Sequence, residues 1–512
     1  MDDPAHRRVL WFAGRMPGTE VSSRAVVTLV ALLLGVTACA GGTDAPSPTP
    51  SPAEGSATAA PFVAPELATV EPVMVDGLDV EVTESLADTG YVYVAVPTFP
   101  DAPDITQLLR DQIQGRLDAF QQFEVPDDED VKPELTVSWR LVGASPAVVG
   151  VRLAAAEAGG ATFDGSAQTV WIDLETREAR PVADLIEADA VPELLDRILA
   201  AGEADPRIDN QMLHDQMDGE LEAFDAVAFT REGDLWVEFD RAQVATSTQP
   251  VAVAVDADGL LSPFGEAARD AALEPSDPAI APAPSPSPTA APVTTPTAAS
   301  SLQTQALAGD TDCTVEQCIA LTFDDGPVAA TMDLLDALAE RGAKATFFMV
   351  GQNVAANPDV VRRIADEGHA LGNHTWDHPQ LTRLDADSIR QEIESTSDAI
   401  EDATGVRPSL LRPPYGATDD AVAGVAADLG MAQILWDVDP EDWKDRDAGT
   451  VHQRVVDAAH RNAIVLSHDI HDTTRAAYPA IIDDLIAAGY TLVTVPDLLD
   501  DLEPGARYFN GD

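Results

Sequence analysis

The C-terminal half of the chain alternates short apolar runs with longer amphipathic stretches. The apolar runs, which are typical of buried strands, lie at 319–323, 345–350, 370–374, 410–413, 433–437, 463–468 and 491–495. The amphipathic stretches predict helices at 332–341, 360–367, 386–403, 419–429, 450–461 and 479–488. Because strands that alternate with helices usually pair in parallel with the helices outside, this half predicts a barrel or an open α/β sheet.

The N-terminal half carries a weaker pattern of mixed type. Strand-like patterning occurs at 135–142, 148–156, 167–173, 235–239 and 251–255, and helical patterning at 191–201 and 211–224. Runs of strands followed by runs of helices are typical of α+β folds. We therefore expect a smaller α+β domain ahead of the α/β domain.

Two tracts rich in Pro, Ser, Thr and Ala divide the chain, at about 41–60 and 274–300. Such compositions do not bury a core, so both tracts are predicted to be disordered. The predicted organisation is a leader at 1–39, a tether at 40–63, an α+β module at 64–262, a linker at 263–311, an α/β domain at 312–502 and a tail at 503–512.

The N-terminus predicts export. An apolar run at 25–36 follows Arg24 and has the length of a secretory signal core, too short to span a bilayer. It ends in Val-Thr-Ala-Cys39, which resembles the bacterial lipobox and implies lipidation of Cys39. The alternative is an ordinary cleaved signal with an incidental cysteine, and the start codon is Met1 or Met16. We expect a lipoprotein on the outer face of the cytoplasmic membrane, or a secreted protein.

The net charge limits the classes of binding partner, and the cysteine count predicts a disulfide. The 512 residues include 30 Lys and Arg against 88 Asp and Glu, a net charge of −58 that argues against nucleic-acid binding. With Cys39 taken by lipid, Cys313 and Cys318 remain. An even remainder in an exported chain predicts a disulfide. A metal site is the weaker alternative, since no second Cys or His pair accompanies them.

Paired acids close the first apolar run of the α/β domain. Asp324 and Asp325 stand in the sequence Thr-Phe-Asp-Asp-Gly-Pro at 322–327. They could cap a turn or the following helix, as Asp often does before Gly and Pro, or they could serve chemistry at the end of the strand. The downstream runs favour chemistry, because polar residues also follow four more of them: His374 and His378; Arg412 and Tyr415; Asp442 and Trp443; and His468. The carboxyl ends of barrel strands are where active sites form.

These motifs together resemble the polysaccharide deacetylases of carbohydrate esterase family 4, the NodB-homology domain. They occur in family order as Thr-Phe-Asp-Asp-Gly at 322–326, His-Thr-Trp-Asp-His at 374–378, Arg-Pro-Pro-Tyr at 412–415, Asp-Pro-Glu-Asp-Trp at 439–443 and Leu-Ser-His at 466–468. The resemblance covers essentially all of residues 312–502. It implies a distorted (β/α) barrel of about seven strands that hydrolyses amides with the help of a divalent metal.

The resemblance also implies a role for each motif residue. Asp325, His374 and His378 would bind the metal, zinc first and cobalt, manganese or nickel as alternatives. Asp324 would be the general base braced by Arg412, and His468 the proton donor held by Asp442. The main-chain N–H of Tyr415 would help to bind the oxyanion. Trp443 and Leu466 would line the acetyl pocket, although ordinary barrel packing explains them nearly as well.

Other polar residues near these motifs have no role that the mechanism requires. We treat Asp377, Asp439, His369, His452, His460 and His471 as structural or solvated, and His471 is the least certain of them.

The expected substrate comes from context. Sequences at 170–176, 182–186 and 235–239 are similar to a module that precedes the catalytic domain in some membrane-anchored peptidoglycan deacetylases. We therefore expect N-deacetylation of peptidoglycan, at N-acetylglucosamine before N-acetylmuramic acid, by a monomer. The alternatives are a deacetylase or esterase for chitooligosaccharide or O-acetylated xylan and, in another class, a non-catalytic lipoprotein that senses or binds the wall.

Overall fold

The structure is a computed structural model of the chain. It describes residues 64–87, 90–121, 133–159, 162–217, 224, 226–241, 243–245, 250–280, 311–499 and 501–511. The predicted leader and tether, including Cys39, and most of the predicted linker lie outside these residues. Among the described helices, none is long and apolar enough to cross a lipid bilayer. The described residues belong to one compact unit that spans 61–512.

The N-terminal module begins with a six-stranded sheet. Its strands are β1 (Asp79–Ala87), β2 (Gly90–Thr98), β3 (Glu134–Ala144), β4 (Val148–Gly159), β5 (Thr162–Asp173) and β6 (Glu178–Arg180), in that spatial order. Helix α1 (Pro103–Gln121) connects β2 to β3, which pair in parallel, whereas the other neighbours are antiparallel. The sequence patterns did not predict β1, β2 or α1, although Val80 and Val82 alternate with polar residues as a half-buried strand requires.

A second, three-stranded sheet completes the module. It contains β7 (Ala226–Phe229), β8 (Leu235–Phe239) and β9 (Val251–Val255), all antiparallel. The helices are α2 (Val191–Ala204), α3 (Asn210–Gln216) and α4 (Pro263–Leu273), with short 3-10 helices at Pro72–Met74 and Val182–Leu185. The two sheets meet at Trp171, which is fully buried and donates its indole N–H to the carbonyl of Val227 at 2.9 Å.

One predicted boundary of the module is wrong. The linker was placed from residue 263, but that point begins helix α4, which Ser262 caps by accepting a hydrogen bond from Gly265 N at 3.0 Å. Ala268 and Ala271 of this helix are fully buried in the module core. The small side chains made the helix resemble the Ala-rich tract that follows it.

The C-terminal domain is an α/β barrel, as predicted. Its strands are β10 (Cys318–Asp324), β11 (Thr346–Met349), β12 (Ala370–Asn373), β13 (Leu410–Leu411), β14 (Ala432–Ile434), β15 (Ile464–Val465), β16 (Thr491–Val493) and β17 (Arg507–Tyr508). The sheet runs β15-β10-β11-β12-β13-β14-β17, β16 also pairs with β10, and every pairing is parallel.

Helices surround this sheet between its strands. They are α5 (Thr331–Arg341), α6 (Gly351–Ala356), α7 (Pro358–Asp366), α8 (Ala386–Thr404), α9 (Asp420–Asp428), α10 (Asp442–Asp445), α11 (Ala448–Ala458), α12 (Asp472–Ala487) and α13 (Val495–Leu498), with 3-10 helices at Leu381–Arg383 and Pro414–Gly416. Helix α8 shows both end signals: Asp385 accepts from Ser388 N at 2.9 Å at its start, and Gly405 ends it at φ 74°.

The last residues close the sheet, so the predicted tail at 503–512 is also wrong. Strand β17 pairs with β14, and Ala463, just before β15, bridges to Asn510. Gly511 N donates to the carbonyl of Asn462 at 2.8 Å. Residues 507–511 therefore occupy the gap between β14 and β15.

The sheet core is apolar, and a disulfide lies at its edge. Ile319, Leu321 and Phe323 of β10 are fully buried. Just before them, Cys313 and Cys318 are joined with Cα atoms 5.4 Å apart. The apolar strand β10 ends at Asp324, which therefore lies at the carboxyl end of the sheet.

Candidate active site

The two acids at the end of β10 point to different partners. Asp324 is the last residue of the extended strand, whereas Asp325 has φ 71°, in the left-handed region that few residues other than glycine adopt. This change of backbone direction separates two consecutive carboxylates. Asp324 faces Arg412, and Asp325 faces two histidines.

Asp325, His374 and His378 form a buried group that could hold a metal ion. An Asp325 carboxylate oxygen lies 3.5 Å from His374 Nε2 and 3.3 Å from His378 Nε2. Neither carboxylate oxygen of Asp325 has a hydrogen-bond partner among the described residues. Two imidazoles and one carboxylate with spare acceptor atoms suit a divalent cation of the zinc type.

Hydrogen bonds orient the two imidazoles. His374 Nδ1 donates to the carbonyl of Arg412, and His378 Nδ1 lies 3.2 Å from the hydroxyl of Tyr415. Each ring therefore turns its Nε2 toward Asp325, the arrangement seen when an outer partner fixes a ligand histidine. His378 and Tyr415 also have positive φ, at 64° and 60°. Such strained backbone concentrates at functional sites.

Burial and charge shift the protonation of this group in different directions. Burial lowers the pKa of His378 to about 3 and so keeps its ring neutral. Burial alone would lower the pKa of His374 too, but Asp324 and Asp325 raise it above the ordinary value. Burial raises the pKa of Asp325, yet His378 and His374 together bring it below its usual range. The ionised carboxylate of Asp325 and the neutral ring of His378 suit a cation, which would displace the proton that the two carboxylates favour on His374.

Arg412 holds Asp324 from inside the barrel. The guanidinium is fully buried and donates to Asp324 at 2.8 Å, to the hydroxyl of Thr322 at 2.7 Å, and to the carbonyls of Ile434 and Leu435 at 2.9 and 3.0 Å. Burial lowers the pKa of Arg412 while Asp324 opposes that change. Asp324 therefore has one fixed orientation, with its other oxygen 3.8 Å from His374 Nε2.

His468 and Asp442 form a second buried pair across the site. Asp442 accepts from His468 Nδ1 at 2.8 Å, from His468 N at 2.8 Å and from the hydroxyl of Thr474 at 2.7 Å. Burial raises the pKa of Asp442, but His468 brings it below its usual value. Burial lowers the pKa of His468, but Glu84 and Asp442 raise it well above its usual value. These two carboxylates therefore favour the protonated form of His468.

The remaining predicted residues are present, but their roles stay predictions. Leu466 is buried and donates its backbone N–H to the carbonyl of Val438 at 2.9 Å, while Trp443 is half-buried. The oxyanion role of the Tyr415 main-chain N–H and the acetyl-pocket roles of Trp443 and Leu466 concern a substrate. Cys39 lies outside the described residues.

Comparison with known proteins places this domain. The family model described as polysaccharide deacetylase matches residues 311–434. The chain is 38% identical over 193 residues to the chitooligosaccharide deacetylase of Rhizobium leguminosarum bv. trifolii, an alignment that covers 35% of this chain and 90% of that protein. The chain belongs to the polysaccharide deacetylase family. The family match falls on β10 to β14, the strands that carry Asp324, Asp325, His374, His378 and Arg412.

Two further relatives are bacterial deacetylases of which this chain matches a smaller share. The chain is 45% identical over 194 residues to the peptidoglycan-N-acetylglucosamine deacetylase PgdA of Listeria monocytogenes serotype 1/2a (strain 10403S), covering 38% of this chain and 41% of that protein. It is 45% identical over 184 residues to the peptidoglycan-N-acetylmuramic acid deacetylase PdaC of Bacillus subtilis (strain 168), covering 36% and 39%. Each alignment thus spans about two fifths of the relative, and its length is close to that of the deacetylase domain.

The N-terminal module contributes side chains to the site of the deacetylase domain. Tyr93 on β2 stacks on the ring of His378, with centroids 4.2 Å apart and planes 12° apart. Its neighbour Tyr91 lies 5.1 Å from the ring of Tyr415. Glu84 on β1 places a carboxylate oxygen 3.8 Å from His468 Nε2. Sequence reasoning missed all three, since no local pattern shows that this hairpin meets motifs in the other half of the chain.

His471, which the sequence analysis set aside, also lies at the site. It is buried, with Nε2 3.6 Å from Glu84 and Nδ1 accepting from Arg446 at 2.6 Å. Together Glu84, His468 and His471 form a second group of residues with ligand-type atoms close together. The spacing from His468 in Ser-His-Asp-Ile-His at 467–471 was a signal that could have drawn attention to it. The other excluded histidines pair elsewhere, for example His452 with Asp484 at 2.9 Å.

Proposed function

We propose that the chain is a metal-dependent deacetylase that removes acetyl groups from amino sugars of a cell-wall polysaccharide. One observation carries this proposal: the group Asp325, His374 and His378 lies beside a carboxylate, Asp324, that Arg412 holds in place. A cation site next to an oriented base is the combination that amide hydrolysis needs. The proton donor pair His468 and Asp442 supplies the remaining requirement.

A cation at Asp325, His374 and His378 would polarise the acetyl carbonyl and make the attacking water more acidic. Asp324 accepts the proton of that water through the carboxylate oxygen that Arg412 leaves free. Arg412 keeps the carboxylate in one rotamer, so that the base is in position before substrate binds. Asp324 serves this step better than Asp325, because Asp325 already faces two imidazoles.

Breaking the carbon–nitrogen bond requires a proton on the amine that leaves. His468 Nε2 is the donor atom, because its Nδ1 is bound to Asp442. Asp442 stabilises the imidazolium before the transfer and fixes the ring afterwards. The base and the acid come from strands β10 and β15, whose carboxyl ends are adjacent: Asp324 N donates to the carbonyl of Ser467 at 2.8 Å.

Zinc is the proposed native ion, with cobalt, manganese and nickel as substitutes. The donor set of two imidazoles and one carboxylate suits all four, and zinc accepts it with open positions for water and substrate.

The proposed substrate is peptidoglycan, with N-acetylglucosamine as the deacetylated sugar. This choice is supported by the similarity to proteins named peptidoglycan deacetylases in Listeria and Bacillus. The second candidate is a chitooligosaccharide, which is favoured by the similarity to the Rhizobium protein named for that activity. The two candidates differ in the acidic groups that only peptidoglycan carries.

Acetate release tests both candidates. The purified chain, stripped of metal and reloaded with Zn²⁺ or Co²⁺, is offered soluble peptidoglycan fragments, chitotetraose and acetylated xylan. We expect acetate from the peptidoglycan fragments at the highest kcat/KM. Activity confined to xylan would overturn the substrate assignment, and no acetate from any substrate would favour a non-catalytic wall-binding protein.

We also propose that the mature protein is a monomeric lipoprotein anchored by Cys39 on the outer face of the cytoplasmic membrane. The support is the apolar run at 25–36, which is followed by Thr37 and Ala38 and then by Cys39. Labelling of cells with a fatty-acid analogue should mark the protein, and Cys39→Ser should remove the label. A labelled serine variant would contradict the assignment.

A further inference from the structure

A cavity separate from the candidate active site lies between the N-terminal module and the deacetylase domain. Its volume is about 620 Å³, within the range of about 300–1,000 Å³ typical of small-molecule sites. One wall is the sheet face formed by β3, β4 and β5. The other is the segment 377–392, which leads from the motif His-Thr-Trp-Asp-His at 374–378 into helix α8. The proposed mechanism does not use this cavity.

Four arginines line the cavity, and we call it the arginine cleft. Arg140, Arg152 and Arg241 come from the module, and Arg383 comes from the deacetylase domain. The whole chain has only 30 Lys and Arg against 88 Asp and Glu, so four arginines around one cavity are unusual. Four acids line the same cavity, Glu134, Asp377, Asp385 and Glu392, so its capacity for an anionic group depends on which of these charges are already paired.

Two of these arginines have hydrogen-bonding capacity to spare. Arg383 donates from Nε to Gln380 at 2.7 Å, but its buried Nη2 has no partner among the described residues. Its nearest carboxylate, that of Glu134, is 3.9 Å away. Arg140 is exposed, and its guanidinium lies over the indole of Trp376, 5.9 Å from its centroid, where its charge also acts on the buried carboxylate of Glu392. In contrast, Arg152 is fully engaged by Glu238, at 2.8 and 2.6 Å.

Three of the four acids that line the cleft accept hydrogen bonds from their own neighbours, and the fourth is Asp377. Glu392 accepts from the backbone N–H groups of Trp376 and Asp377 at 2.9 and 3.3 Å. Asp385 accepts the N-cap hydrogen bond of helix α8. Glu134 accepts from the hydroxyl of Thr136 at 3.1 Å. The donors that remain for a ligand are therefore the guanidinium groups of Arg140 and Arg383.

The cleft lies beside the metal end of the active site, although none of Asp325, His374 and His378 lines it. Two lining residues, Asp377 and Pro379, flank the candidate ligand His378 in sequence. A third, Glu134, is the register partner of Tyr91, whose ring lies 5.1 Å from that of Tyr415, and the Tyr415 hydroxyl lies 3.2 Å from His378 Nδ1. A glycan whose acetamido group lies at the metal end would place adjoining substituents toward this cleft.

We infer that the arginine cleft binds a carboxylate of the substrate, so that the enzyme prefers an acidic glycan to a neutral one. This inference rests on the proposed deacetylase function. Guanidinium groups bind carboxylates by paired, charge-assisted hydrogen bonds. In peptidoglycan the carboxylate is either the free lactyl group of muramic acid or a carboxylate of the attached peptide, and chitooligosaccharides have neither.

The test measures KM and kcat of the full chain and its variants on three soluble tetrasaccharides. They are chitotetraose, a peptidoglycan tetrasaccharide with free lactyl groups, and the same tetrasaccharide with its peptides. For Arg383→Gln and for Arg140→Gln we expect KM to rise about tenfold on the acidic substrates, the effect of one charge-assisted hydrogen bond. On chitotetraose we expect kcat/KM to stay within about twofold of wild type by the same argument. A rise on the lactyl substrate identifies the lactyl group, and a rise confined to the third substrate identifies the peptide.

A matched control is Arg390→Gln on helix α8, because Arg390 pairs with Asp428 at 3.0 Å and does not line the cleft. An equal rise of KM on chitotetraose would overturn the inference, since the arginines would then only position the module. Unchanged KM on all three substrates in both cleft variants would overturn it as well. Titration calorimetry measures the binding of the lactyl tetrasaccharide and of chitotetraose to wild type and to Arg140→Gln. This measurement tests the cleft even if wild type releases no acetate. A lack of acetate would refute only the proposed deacetylase function.

Discussion

The two sides of the active site are built differently. On the barrel side, two charged groups are held by several hydrogen bonds each: Arg412 donates four, and Asp442 accepts three. On the module side, Tyr93 stacks on His378, its hydroxyl has no partner among the described residues, and the nearer carboxylate oxygen of Glu84 lies 3.6 Å or more from the histidines it faces.

This difference separates chemistry from docking. The barrel side has fixed rotamers before any substrate arrives, which is the preorganisation that catalysis uses. The module contacts the site histidines through ring stacking and charge at a distance, interactions that tolerate small displacements. We therefore expect barrel-side changes to remove activity and module-side changes to adjust it.

The largest effect should come from the two acids at the end of β10. Asp324→Asn should lower kcat by about 10⁴-fold while the bound zinc is retained, because a general base contributes up to about that factor. Asp325→Asn should instead weaken zinc binding, measured by competition with a chelator. Equal loss of zinc in both variants would mean that the two roles are misassigned.

The next largest effect should be on stability, through Arg412. Arg412→Gln leaves Asp324 as an unpaired buried charge, which should cost about 3–5 kcal/mol in the free energy of unfolding measured in urea. The exposed pair of Arg390 with Asp428 offers the control, and Arg390→Gln should cost less than about 1 kcal/mol. A similar small cost in both variants would show that the buried pair does not hold the barrel side together.

His468 should show a smaller effect that depends on the leaving group. His468→Gln should lower kcat on an acetylated amino sugar by about 10²-fold, the lower range for a general acid. The same variant should hydrolyse 4-nitrophenyl acetate at nearly the wild-type rate, because 4-nitrophenolate leaves without a proton. An equal loss on both substrates would assign His468 to another step.

The smallest effect should come from the module side, through Glu84. The carboxylate of Glu84 raises the pKa of His468, so the substitution Glu84→Gln should lower that pKa. His468 acts in its protonated form, and that form would then be lost at a lower pH. The alkaline limb of the kcat profile should therefore move to lower pH, whereas Glu81→Gln on the same strand should leave it in place. An unmoved limb for Glu84→Gln would show that the module does not face His468 during turnover.

The same contrast explains what the sequence could predict. The barrel residues follow strands that are recognisable alone: the apolar run before Asp324 predicts a buried strand, and the family motifs locate His374, Arg412 and His468. Strand β17 escaped prediction because Arg507 and Tyr508 are only two residues in a polar segment, and the sheet, rather than the local pattern, makes them a strand.

The module side was not predictable in the same way. Val80 and Val82 indicate a strand, but nothing near Glu84 or Tyr93 reveals which surface they contact. That information lies in the fit between two parts of the chain that are distant in sequence. Similarly, helix α4 resembled a linker because alanine serves both a tightly packed helix and an Ala-rich tract.

The stack of Tyr93 on His378 couples two equilibria. One face of a candidate metal ligand is formed by the module, so the docked module and the metal-loaded site stabilise the same ring position. Thermodynamic reciprocity then applies: if docking strengthens metal binding by some factor, metal binding strengthens docking by the same factor. Removing the ion with a chelator should therefore loosen the module, and hydrogen exchange in β1 and β2 would report the metal content of a site formed by residues from the other half of the chain.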